Sequence, residues 1–180
     1  MARITIQDPA NTTGATKSTL DAVGKALGMV PNLHKAVANS PAALQGYVQF
    51  AGALSTGALA PKIREQIAIL TAQTNSCEYC LSAHTLLGKG AGLAPAELES
   101  ARKAGSTDAK AAAALTFAKA VLSRQGGVSA DDVTNARKAG LSDAELTEIV
   151  AHVGLNVFTN FFNVAFDIDL DFPRVAINAK

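Results

Sequence analysis

Apolar residues recur along this chain at helical spacing, and strand-like alternation is scarce. Leu20, Val23 and Leu27 share one face of a segment from Thr16 to Leu27, with Gly28 as its stop. Met29-Val30-Pro31-Asn32 turns into a second helix running through Ala38. Ser40-Pro41 opens a third, with the proline at its first position and Leu44, Tyr47, Val48 and Leu54 along it before Gly57. Pro61 starts a fourth, which carries Glu65 and an apolar stripe of Ile63, Ile67 and Leu70. The run Gln73-Thr74-Asn75-Ser76 breaks it, and Ser76 is the expected N-cap of a helix reaching about Lys89.

Ala101-Arg102-Lys103-Ala104-Gly105-Ser106-Thr107-Asp108-Ala109 recurs 35 residues later as Ala136-Arg137-Lys138-Ala139-Gly140-Leu141-Ser142-Asp143-Ala144. Each copy reads as a short helix, a glycine C-cap and an N-cap for a long helix. The long helices are expected at Asp108 to Arg124 and Ser142 to Phe166, with a Gly126-Gly127 turn between them. Two copies do not make a solenoid. The whole reads as an N-terminal arm, 1–15, followed by a single all-α, hairpin-rich domain over 16–180. Five of the seven phenylalanines lie between Phe158 and Phe172, and Phe158, Phe161, Phe162 and Phe166 share helical spacing. Core packing or an oligomer interface is their expected use, ahead of a substrate pocket. Beyond them, Asp167-Ile168-Asp169-Leu170-Asp171-Phe172-Pro173 alternates acidic and apolar residues, as an extended arm packed on the body or a neighbouring subunit would.

With 180 residues and 48% hydrophobic content, the chain is long enough to bury a core and falls in the globular class. Its 16 basic and 15 acidic residues leave a net charge of +1, and no basic cluster interleaves with aromatics, which argues against nucleic acid as a partner. The N-terminus lacks the apolar core of a signal peptide, and no apolar stretch reads as long enough to span a bilayer, so the expected location is the cytoplasm. In that reducing compartment a close cysteine pair is more often catalytic or metal-binding than structural.

Such a pair is present. Cys77 and Cys80 are the only cysteines, and His84 follows the second by four residues. With Ser76 as cap, Cys77 falls in the first helical turn, where free amides and the helix dipole favour an anion. Spacings of three and four place Cys77, Cys80 and His84 on one helix face. Glu65 lies on the preceding helix, which a four- or five-residue break makes an antiparallel neighbour. A thiolate to attack a peroxide or disulfide, a second thiol to resolve the product, an imidazole to accept a proton and a carboxylate to orient it make a redox site. A zinc knuckle has the same cysteine spacing, but no second knuckle is present. Covalent haem attachment fails because Leu81, not histidine, follows Cys80. Two inert core cysteines remain a further alternative. His34 and His152 are expected to be partly buried or surface residues, with His152 nearer the site.

Glu-x11-Cys-x2-Cys-x3-His resembles the core motif of the AhpD-like alkylhydroperoxidases within the carboxymuconolactone decarboxylase superfamily. Val30-Pro31-Asn32-Leu33, Ser40-Pro41, the segment from Leu59 through Glu65, and the last helix with Asn156, Asn160 and Asn163 and its acidic Phe-Pro tail resemble the peroxidase-related branch. The match covers residues 28 to 173. The resemblance implies an all-helical fold assembled as trimers or hexamers, and a thiol-dependent peroxidase that uses no metal or cofactor. Its substrate would be an alkyl hydroperoxide, and a thiol or dithiol would recycle it. Carried onto this chain, Cys80 attacks the peroxide, Cys77 resolves it, and Glu65 and His84 relay the proton. The chain departs from the best-described members at Tyr79, where they have a histidine; a phenol with pKa near 10 is no base at neutral pH. The decarboxylase branch lacks the cysteine pair, which argues against lactone decarboxylation. Two other functions stay open: a protein disulfide oxidoreductase or redox sensor, and a non-enzymatic helical oligomeric binding protein whose cysteines hold metal or are inert.

Overall fold

Proline, serine and aspartate at helix starts cut the alanine-rich chain into short rods. A computed structural model describes residues 1–178, so the last two positions of the expected 16–180 domain lie outside the described residues. Nine α-helices and no strand occur among the described residues: α1 (Gly14–Leu27), α2 (Asn32–Val37), α3 (Pro41–Leu54), α4 (Pro61–Thr74), α5 (Glu78–Gly90), α6 (Pro95–Ala101), α7 (Ala109–Ser123), α8 (Ala130–Lys138) and α9 (Asp143–Phe166). Ser40, Asp108, Ser129 and Ser142 each accept a backbone N–H at an N-cap, and the last two form full capping boxes. α1 starts at Gly14, two residues earlier than its apolar stripe suggested, and Gly28 ends it in the left-handed conformation at φ 76°.

α4 is the central rod. Its middle, from Gln66 to Ala72, is buried all round because α5, α6, α7 and α9 pack against it. The loop before it is tied to α9, where Glu148 accepts the N–H groups of Ala58 at 2.7 Å and Leu59 at 2.9 Å.

α9 corrects one expectation and divides another. Its 24 residues are long and apolar enough to cross a bilayer by length and composition, although the sequence reading saw no such stretch. Only one of its residues after the first turn, Glu148, is acidic, and its asparagines weigh little against so many apolar neighbours. Here its polar face, with His152, Asn156, Asn160 and Asn163, is buried within the bundle. The phenylalanine stripe splits: Phe162 and Phe166 pack partly buried against the core, while Phe161 is 60% and Phe158 40% exposed.

The two copies of the repeat close differently. In both, a hydrogen bond reaches back five residues, from Gly105 N–H to Ser100 and from Leu141 N–H to Ala136. The left-handed residue just before that donor is Gly140 at φ 91° in the second copy, but Ala104 at φ 63° in the first. The glycine stop expected at Gly105 therefore sits one residue earlier, on an alanine, and the structural offset is one longer than the sequence offset. Gly105 is needed for room instead, since a Cβ there would come within 2.6 Å of the Ser100 hydroxyl.

The arm and tail pack onto the body. Arg3 N–H donates to the Phe166 carbonyl and Gln7 N–H to that of Lys35. In the tail, Asp171 accepts the Asn32 N–H at 2.6 Å, Phe172 meets the Tyr79 ring edge-on, and Val175 N–H donates to the Ser82 hydroxyl. Tyr79 is thereby enclosed, its hydroxyl accepting the Leu33 N–H at 3.2 Å, and burial pushes its phenol well above the ordinary value. His34 is buried beside it, against the Tyr47 ring, which departs from the partly buried or surface placement expected. Burial lowers its pKa from 6.5 to about 4, with the nearby Asp171 charge opposing.

Ala104→Gly relieves a left-handed alanine and stabilises by about 0.5 kcal/mol, whereas Gly105→Ala destabilises by about 1–3 kcal/mol; urea unfolding of the two variants checks the opposite signs. Because the unfolded His34 binds a proton near pH 6.5 and the folded one only near pH 4, the folded state holds fewer protons in that window. Stability is full above pH 6.5 and falls on acidification towards pH 4, by about 3 kcal/mol from this residue. Urea midpoints taken across that range should decline less steeply in His34→Phe than in the parent chain.

Candidate active site

Three residues, Asn75, Ser76 and Cys77, reverse the chain between α4 and α5. This is shorter than the expected break, because α4 continues through Thr74. Ser76 is not the N-cap: it takes the left-handed conformation at φ 56° that turns the chain. Cys77 is the cap in its place, and its Sγ accepts the Cys80 N–H at 3.2 Å. The sulfur remains at the positive end of a helix, one residue outside the first turn where the sequence put it. Cys77 and Cys80 are joined as a disulfide with Cα atoms 5.3 Å apart. Both are closed off, at 1% and 3% exposure.

The reversal lays α5 antiparallel along α4 and brings Glu65 to His84. Glu65 Oε2 and His84 Nδ1 are 2.8 Å apart, at the partly exposed edge of the helix pair. Gly88, one turn beyond His84, leaves room for the following segment: a Cβ there would meet Leu98 at 2.8 Å and Leu93 at 3.2 Å, and would sit in ordinary contact with Glu65 Cβ at 3.7 Å. A carboxylate facing Nδ1 fixes the tautomer with Nδ1 as donor and leaves Nε2 with its lone pair. The pair borders a cleft of about 200 Å³ lined also by Tyr47, Arg64, His152 and Thr159. His152, the better-placed of the two outlying histidines, thus shares a cleft with Glu65 and His84. It is buried, and desolvation followed by the positive charge of Arg64 holds its pKa below the ordinary value, so it is neutral at pH 7.

Cys80 and His84 keep the one-turn spacing on α5, so their side chains are neighbours on one face. Cys77 joins them through its bond to Cys80 and not by helical spacing. On the far side, Cys77 borders a second cleft, of about 260 Å³, with Glu78, Tyr79, Asn163 and Asp167. Asn163 of α9 donates Nδ2–H to Cys80 Sγ at 3.2 Å. The role of this asparagine escaped the residue-by-residue reading. The signal was there in Asn156, Asn160 and Asn163, spaced four and three apart in an otherwise apolar helix. Tyr79 borders that cleft, but its hydroxyl is taken by the Leu33 N–H and its ring by Phe172 of the tail. No group of three or more histidine, cysteine or acidic side chains is arranged to hold a metal among the described residues.

Residues 41–123 match the model of the carboxymuconolactone decarboxylase family, a span that contains Glu65, both cysteines and His84. No curated protein matches the chain in sequence. Among solved structures, an uncharacterized peroxidase-related protein from Ralstonia eutropha JMP134, described as an alkylhydroperoxidase AhpD core, superposes with a TM-score of 0.86 at 21% identity, covering 94% of this chain and 92% of that one. A peroxidase-related protein from Silicibacter sp. TM1040 gives 0.81 at 24% identity, covering 93% and 91%. The debrominase Bmp8, as a cysteine-to-alanine variant in complex with 2,3,4-tribromopyrrole, gives 0.74 at 17% identity, covering 86% and 84%. At these identities the likeness establishes the fold, and the same fold evidently serves more than one reaction. The centre of the chain thus matches the carboxymuconolactone decarboxylase family model, and nearly its whole length has the AhpD-like all-α fold.

Proposed function

We propose that the protein is a thiol-dependent peroxidase that reduces alkyl hydroperoxides by cycling between a Cys77/Cys80 dithiol and disulfide. One observation carries this reading: the Glu65–His84 hydrogen bond of 2.8 Å lies one helical turn from Cys80, which is itself bonded to Cys77. Oriented by Glu65, His84 takes the thiol proton from Cys80 through Nε2. The Cys80 thiolate attacks the terminal peroxide oxygen, forming the S–O bond as the O–O bond breaks. The departing alkoxide takes the proton back from His84 and leaves as the alcohol. Cys77 then attacks the Cys80 sulfenic acid, closing the disulfide as hydroxide leaves and is protonated to water. A thiol or dithiol reductant restores both cysteines.

Burial separates this reading from that of a protein disulfide oxidoreductase. With the sulfurs 1% and 3% exposed, a small hydroperoxide suits the site better than a macromolecular disulfide, and the cleft beside His84, one turn from Cys80, is its proposed approach. The exposed Val150, Phe158, Phe161 and Val164 along α9 support a homo-oligomer, and a trimer or hexamer is the proposed assembly. The histidine missing at Tyr79 is no loss on this account, because the relay runs through Glu65 and His84.

Steady-state reduction of an alkyl hydroperoxide with excess dithiol is the test. Cys80→Ser should be inactive, and Glu65→Gln should lower kcat/KM by about 100-fold while the chain stays folded. A Cys80→Ser variant that turns over like the parent chain would refute the proposal.

A further inference from the structure

We propose that Asn163 is the positioning residue that makes Cys80, and not Cys77, the reactive thiolate, an inference that rests on the peroxidase reading above. The start of α5 favours the other sulfur. As N-cap, Cys77 sits at the positive helix end and takes the Cys80 backbone N–H at 3.2 Å, so local helix electrostatics would make Cys77 the better thiolate. Cys80 lies past the cap, and its sulfur receives a single side-chain donor, the Asn163 Nδ2–H at 3.2 Å, from a helix 83 residues away in sequence.

That donor is poorly used in the oxidised form. A disulfide sulfur is a weak acceptor, and a thiolate is a charged one whose hydrogen bonds are roughly twice as strong. The amide is nevertheless buried at 3% exposure, and its Oδ1 finds no hydrogen-bond partner among the described residues. A buried amide with one end on a weak acceptor and the other unserved is costly. Reduction supplies what both ends lack. The Cys80 thiolate takes the N–H, and the Cys77 thiol, which borders the same cleft as Asn163, has an S–H to give to Oδ1. One amide then sorts the remaining proton between the two sulfurs, with Cys80 charged and Cys77 neutral.

The same placement sets the direction of recycling. A reductant thiolate enters by the cleft of about 260 Å³ and attacks Cys77 Sγ. The new mixed disulfide forms there as the Cys77–Cys80 bond breaks, and Cys80 leaves as the thiolate that Asn163 holds. A second reductant thiol then attacks the mixed disulfide, releasing oxidised reductant and leaving Cys77 to take up a proton.

The test measures each thiol alone, because two coupled thiols do not report separate values. Rates of iodoacetamide alkylation against pH are compared for Cys77→Ser, which leaves Cys80, and Cys80→Ser, which leaves Cys77. Each is prepared with Asn163, Asn163→Ala and the near-isosteric Asn163→Asp, and circular dichroism and thermal unfolding verify that each is folded. Cys80 should titrate below Cys77 in the parent chain. Asn163→Ala should raise the Cys80 midpoint by about one pH unit or more without raising that of Cys77, while Asn163→Asp, which puts a carboxylate beside Cys80, should raise Cys80 further. An unchanged Cys80 midpoint in folded Asn163→Ala, or an equal rise of both thiols in that variant, overturns the assignment, since general loosening of the bundle would move both. The peroxidase reading fails separately: a parent chain whose low-titrating Cys80 leaves hydroperoxide unconsumed would refute that reading while the midpoint shift still stands.

Discussion

The site depends on how sharply the chain turns between α4 and α5. With only Asn75, Ser76 and Cys77 between them, the two helices must lie against each other from the turn outward, and the left-handed Ser76 makes this possible. The turn puts Cys77 at the cap of α5, Cys80 in its first turn and His84 one turn further, opposite Glu65 near the start of α4. A longer loop would leave the carboxylate free to miss the imidazole. Gly88 lies where a side chain would crowd Leu98 of α6 and Leu93 just before it.

Around this hairpin the rest of the bundle acts as a holder. α4 is buried through its middle, so Glu65 projects from a rigid rod, and a rigid rod preserves a hydrogen-bond geometry that a mobile loop would lose. α9 closes the remaining side with a polar face unusual for so apolar a helix. His152, Asn156 and Thr159 line the cleft at Glu65 and His84, while Asn163 reaches the sulfurs. The tail then seals the outer end of α5 through Phe172, Asp171 and Val175. Two clefts result, one beside His84 and one beside Cys77, with the disulfide between them. Both sulfurs are closed off from solvent.

Much of this was legible in the sequence. Helical periodicity with proline, serine and glycine punctuation located the helices, and the spacing of Glu65, Cys77, Cys80 and His84 marked the residues that the structure gathers. What was misread lay where tertiary contacts overrule local preference. Serine is the better N-cap than cysteine by its own chemistry, yet Ser76 is needed to turn the chain, and the cap falls to the sulfur. Gly105 looked like a helix stop, but the crowding of Ser100 fixes it one position past the left-handed residue. The phenylalanine stripe of α9 had the spacing of a core face, while the asparagines on the opposite side face inward because they meet Cys80, Asn75 and the cleft. Periodicity shows that a helix has two faces; it does not say which of them the bundle needs.

The central claim is that a hydroperoxide oxidises this cysteine pair directly. It is tested most directly by mixing anaerobically reduced protein with one equivalent of an alkyl hydroperoxide and measuring intact mass, the free thiol count and the alcohol formed. The account predicts one alcohol per chain, the loss of two hydrogens, and a Cys77–Cys80 disulfide recovered on peptide mapping. A chain that keeps both thiols while the hydroperoxide persists would contradict it.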